Sequence, residues 1–67
     1  LGTIFFYQLN FKNGISYFYK SKVYLESPHR IIQHAVANGF MYKDDKQLVV
    51  TARRVRSDQV IEPVKLV

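Results

Sequence analysis

The 67-residue sequence predicts a small α+β protein: a two-layer ββαβ fold in which an antiparallel hairpin and a returning strand carry one helix. Three observations predict it. Apolar residues alternate along Thr3–Phe11 and Ile15–Leu25, an apolar stripe at helical spacing follows Ser27-Pro28, and a β-rich run begins near Gln47. Chains this short bury only about 60% of their unfolded surface, so the expectation is one domain over 1–67 with one modest core.

The first two strands meet at Lys12-Asn13-Gly14. A two-residue Asn13-Gly14 turn would put the odd residues of the two strands on opposite faces. A three-residue loop pairs Phe11 with Ile15, Leu9 with Tyr17 and Tyr7 with Tyr19, which unites the apolar sets. Its usual form is a type I turn closed by an αL residue at a G1 bulge, and Gly14 suits that place. The odd set, Phe5 to Phe11 and then Ile15, Tyr17, Tyr19, Val23 and Leu25, is thereby predicted to face the core. The outer face is left with Ile4, Phe6, Gln8, Asn10, Ser16, Phe18, Lys20, Lys22 and Tyr24.

The helix is predicted over 28–38. Ser27 is a good N-cap and Pro28 a good first residue, since its missing N–H has no intrahelical partner to lose. Ile31, Ile32, Ala35 and Val36 form the apolar stripe. Asn38-Gly39 stops the helix, with Gly39 left-handed and Phe40 folding back onto the last turn.

A polar connection from Met41 to Lys46, containing Asp44-Asp45, leads to a third strand over 47–56. Leu48, Val50 and Ala52 are expected to face the helix, and Val49, Thr51 and Arg53 to face out. A bulge at Arg53-Arg54 would turn Val55 inward and Arg54 and Arg56 outward. Ser57-Asp58-Gln59 is a turn candidate. Residues 60–67 are apolar enough for a short C-terminal strand, which Pro63 restricts to a sheet edge, or a tail.

Composition narrows the function. Ten Lys and Arg stand against five Asp and Glu, a net charge of +5 that favours polyanions or acidic protein surfaces. With no cysteine there are no disulfides or thiolate metal sites, which fits a cytoplasmic setting. No apolar run approaches the roughly 18 residues of a membrane span, and no signal peptide is evident. The chain starts at Leu1 rather than Met, as a trimmed piece of a longer protein would. His29 and His34 are five apart on the helix, about 140° around its axis, and cannot share a metal. The three glycines lie isolated at 2, 14 and 39, so no phosphate loop is present. Asp44-Asp45 has too few oxygens for a hard cation. No catalytic residues, metal or cofactor are expected, and the chain reads as a non-enzymatic basic binding module.

Two surfaces are candidates. Arg53-Arg54-Val55-Arg56 is the densest basic cluster, and guanidinium forks suit carboxylate or phosphate. Charged edge strands also simply resist aggregation. On the outer sheet face Phe6, Phe18 and Tyr24, with Lys20 and Lys22, could stack unpaired bases and hold phosphates. The same open face could instead be covered by the C-terminal segment or by a second copy in a homodimer.

Val23-Tyr24-Leu25-Glu26-Ser27 and Val50-Thr51-Ala52-Arg53-Arg54-Val55-Arg56 resemble segments of the small phage-encoded inhibitors of bacterial RNA polymerase. That family has a similar length, a hairpin, one helix and a returning strand. It carries an Ile-Tyr-x-Glu-Thr helix entry and a Val-Thr-Arg-Val-Arg strand. The resemblance covers about half of the chain and implies a non-enzymatic regulator of phage or mobile-element type. Arg54 and Arg56 would match the strand arginines set against the acidic jaw of the polymerase. The helix departs from the family pattern, being basic at His29, Arg30 and His34 where the family's is acidic. The strand has an extra residue beside Arg53, and the hairpin does not match. The alternatives from the residues themselves are an RNA or single-stranded nucleic-acid binder and a homo-oligomeric structural subunit.

Overall fold

A computed structural model describes residues 3–60 and 64–66. Strands β1 (Phe5–Phe11) and β2 (Ser16–Ser21) form the hairpin, followed by helix α1 (Pro28–Ala37). A 3₁₀ helix over Lys43–Leu48 then leads into β3 (Val49–Val55), and a short strand β4 (Val64–Leu66) follows. The sheet order is β3-β1-β2-β4. β1 is antiparallel to β2 and to β3, while β4 runs parallel to β2 and occupies the edge. This is the predicted α+β fold, a sheet with one helix on one face.

The hairpin closes through the three-residue loop. Gly14 has φ +86°, its N–H donates to the Phe11 carbonyl at 3.0 Å, and the Phe11 N–H donates to the Ile15 carbonyl at 2.9 Å. Leu9 therefore pairs with Tyr17, and Tyr7 with Tyr19. Asn13 steadies the loop by accepting from the Ile15 N–H at 3.0 Å.

The helix ends also follow the sequence. Ser27 Oγ accepts from the Arg30 N–H at 3.3 Å. At the far end Gly39 has φ +74°, and the Phe40 and Gly39 N–H groups donate to the carbonyls of Ala35 and Val36. Those two bonds make a Schellman stop, which turns Phe40 onto Tyr19 with ring centroids 4.7 Å apart. Ile31 and Ala35 are buried against Tyr7, Leu9, Tyr19, Leu25 and Ala52. Tyr7 and Tyr19 are fully buried because each hydroxyl has a partner. Tyr19 donates to the Ile31 carbonyl at 3.2 Å; Tyr7 donates to the Val23 carbonyl at 2.6 Å and accepts from the Leu25 N–H at 2.9 Å.

Several expectations are corrected. β2 ends at Ser21 rather than Leu25. There Ser21 Oγ accepts from the Val23 N–H and turns the chain, so strand alternation lapses and Val23 is exposed, although Leu25 still reaches the core. Ile15, in the loop, is also exposed. Residues 43–48 wind into the 3₁₀ helix, which starts β3 at Val49 and leaves Leu48 exposed rather than under the helix. The bulge lies at Val50, not at Arg53-Arg54: Asn10 pairs with Thr51 but Phe11 with Val49. Val50 is thus extruded and 62% exposed, while Val49 packs on the core in its place. With no bulge later in the strand, Val55 pairs with Phe6 on the outer face and Arg54 pairs with Tyr7 on the helix side. Ala52, Thr51 and Arg53 take their expected faces. β4 supplies the edge strand expected within 60–67; Pro63 lies outside the described residues.

Candidate partner-binding site

Antiparallel pairing places the start of β1, the end of β2 and the end of β3 side by side. The register brings Lys20 and Arg54 toward that end with Arg53 in the next row on the outer face, and Lys22 and Arg56 follow just past the ends of β2 and β3. On the outer face the strands stack in rows across β3, β1 and β2: Val55, Phe6, Lys20; then Arg53, Gln8, Phe18; then Thr51, Asn10, Ser16. The last row is tied by hydrogen bonds from Asn10 Nδ2 to Thr51 Oγ1 and from Ser16 Oγ to Asn10 Oδ1. Arg53 donates to Gln8 Oε1 at 3.0 Å, which holds its guanidinium down on the outer face.

The other two arginines point elsewhere. Arg54 lies on the helix side, its guanidinium carbon 5.7 Å from the centre of the Tyr24 ring. Tyr24 is in turn braced against Phe5 in a T-shaped contact at 5.2 Å. The loop bearing Tyr24 is held by the Tyr7 hydroxyl through Val23 and Leu25, so the stack is anchored to the core. Burial raises the Tyr7 phenol above its ordinary value; the Leu25 N–H and the charge of Arg54 oppose this, and Tyr24 adds to it. Arg56 leaves the strand and meets Asp58 at 3.4 Å, both well exposed. Its N–H donates to Gln59 Oε1 at 2.9 Å, which fixes the expected turn over Ser57–Gln59 as a short 3₁₀ element. Among the described residues this is the one ion pair at the basic end.

The aromatic platform predicted on the outer face does not assemble. Phe18 does point outward, yet it is only 7% exposed. β4 pairs along β2 with Val64 opposite Phe18, making β2 an interior strand. Tyr24 is 54% exposed but sits on the helix side with Arg54. Phe6, half-buried between Lys20 and Val55, is the aromatic ring left on the outer face among the three proposed.

Sequence reasoning missed a groove of about 440 Å³ where Ile4, Phe5 and Phe6 run beside Arg54, Val55 and Arg56. Its one visible signal was the alternation that sends Phe5 and Phe6 to opposite faces; the neighbouring arginines come from the distant β3. Comparison with known proteins finds no matching family model, no matching curated protein and no matching solved structure. The reading of the site therefore rests on its own chemistry. Among the described residues no three His, Asp or Glu side chains gather as a metal site would need, and no helix is long and apolar enough to cross a membrane.

Proposed function

We propose that this protein is a non-enzymatic binding module that docks its basic sheet end on an acidic surface of a larger host machine such as RNA polymerase, the example that the resemblance of residues 23–27 and 50–56 implies. The observation that carries this reading is the nearness of Lys20 and Lys22, at and just past the end of β2, to Arg53, Arg54 and Arg56, along and just past the end of β3, with Asp58 paired to Arg56. An excess of charge of one sign steers an oppositely charged partner and selects against like-charged ones. Arginine forks held by Gln8 and over Tyr24 are ordered before the partner arrives, which lowers the entropic cost of docking. Occupying the acidic surface is the regulatory act, and no bond is made or broken.

The test is capture from a bacterial lysate with and without nuclease. Nuclease should leave the captured protein in place. An Arg53→Ala, Arg54→Ala, Arg56→Ala variant should bind the isolated partner about a hundred-fold more weakly, at about 1 kcal/mol per exposed charge contact. Capture that disappears with nuclease would instead favour single-stranded RNA, the second reading. That reading draws on Phe6 standing on the outer face between Lys20 and Val55, one row from Arg53. A gel shift at two salt concentrations reports it, since phosphate contacts weaken steeply with salt.

A further inference from the structure

Resting on that reading, we infer that the docking partner is an acidic segment carrying an exposed apolar side chain, which enters the groove between the start of β1 and the end of β3. A purely electrostatic contact would need only charge. This groove offers more: its walls include Ile4, Phe5, Phe6 and Val55, with Arg54 beside them and Arg56 beside its own partner Asp58, which also lines the groove. Ile4 is 43% exposed, whereas Val55 is buried and paired with Phe6, so an apolar depression lies next to the Arg54 guanidinium and to Arg56, whose present partner Asp58 an incoming carboxylate would displace or join. Arg54 is held at its place by the Tyr24 ring, and Tyr24 by Phe5. The geometry suits a carboxylate adjacent to an aliphatic or aromatic residue, the carboxylates meeting the forks and the side chain leaving water in the groove.

The charge selects an anion, and the walls decide which kind. A nucleic acid would place bases on a flat exposed ring, but Phe6 is half-buried and Phe5, also half-buried, is packed at 65° against Tyr24. An aliphatic wall at Ile4 gives a base little to stack on and gives a leucine or phenylalanine of a partner apolar surface to cover.

Two short Glu- and Asp-rich synthetic peptides, identical except for one central Leu or Ser, decide the matter by titration calorimetry at low salt. The Leu peptide should bind about ten-fold more tightly, as expected when most of one aliphatic side chain is buried. Adding salt should weaken both peptides and leave their ratio standing. Ile4→Ser should erase the ratio while keeping the affinity for the Ser peptide, and its partial exposure means the fold should survive, as circular dichroism would show. Arg54→Gln should weaken both peptides together. Equal affinity of the two peptides for the unmodified protein would overturn the groove inference and leave acidic docking intact. Failure of both peptides, with a single-stranded RNA of similar charge binding well, would overturn the docking reading itself.

Discussion

Tyr7 joins the core to the candidate site through a single oxygen. Its hydroxyl donates to the Val23 carbonyl and accepts from the buried Leu25 N–H, pinning the segment that carries Tyr24 beneath Arg54. Tyr7→Phe keeps the ring in the core but strands the Leu25 N–H away from water. Leaving one buried donor unpaired costs roughly 1–3 kcal/mol. For a domain of this size that is a fall in Tm of about ten degrees, measurable by thermal denaturation. The same two tyrosines give the protein an alkaline limit. Burial raises both phenols above the ordinary value of 10.0, and Tyr19 is pushed up further by its neighbour Tyr7. A raised phenol keeps its proton longer when folded than when unfolded. Its stabilising contribution is therefore complete below pH 10 and shrinks as the pH climbs above that value. Tyrosinate absorbance followed alongside circular dichroism should show these two groups ionising only as the structure is lost. Tyr19→Phe should make the alkaline loss of stability shallower.

At the scale of elements, the hairpin and the helix were legible because their determinants are local. Gly14 selects the loop, Ser27-Pro28 starts the helix, and Asn38-Gly39 stops it; each acts within a few residues. β3 was not legible in the same way. Leu48, Val49 and Val50 are all apolar, so the pattern alone cannot say which of them is extruded. That choice follows from where the 3₁₀ helix over Lys43–Leu48 delivers the chain and from the Phe11 side chain it must meet. Shifting the bulge from Arg53-Arg54 to Val50 exchanges the faces of Arg54 and Val55, so the basic cluster was visible but its directions were not. Phe18 fails for a related reason: it is buried beside a distant strand, and no local residue signals that neighbour. A Phe18→Ala variant would therefore report on folding before it reported on any stacked base. The loop itself gives the cleanest test at this scale. Nothing lies within 4 Å of where a Cβ on Gly14 would point, so Gly14→Ala meets no steric neighbour and pays only for a left-handed backbone. About 1 kcal/mol of stability should be lost in denaturant titration, with the slope unchanged and less lost for Gly14→Asn.

Over the whole molecule, the arrangement proposed to recruit a partner works against the free protein's own stability. Lys20 and Lys22 at the end of β2 lie across β1 from Arg53, Arg54 and Arg56 on β3 and just past it, a backbone separation of roughly two strand spacings, about 10 Å. Each such pair in water repels by about 0.4 kcal/mol before screening, and several pairs act together. Salt shortens the reach of that repulsion from about 30 Å at 0.01 M to about 8 Å at 0.15 M. The Tm should therefore rise by about 5 °C across that range, since about 1 kcal/mol moves the midpoint of so small a domain by 4–8 °C. A Lys20→Gln, Lys22→Gln variant should melt higher than the unmodified protein at the lower salt and converge with it at the higher. It should also bind acidic peptides less well, because the charge removed is the charge that attracts them. A Tm indifferent to salt would mean that these cations do not feel one another, and it would remove the crowding on which the docking proposal relies. Stability gained on neutralisation together with affinity lost would mark the basic end as a surface kept under repulsion until a carboxylate-bearing partner relieves it.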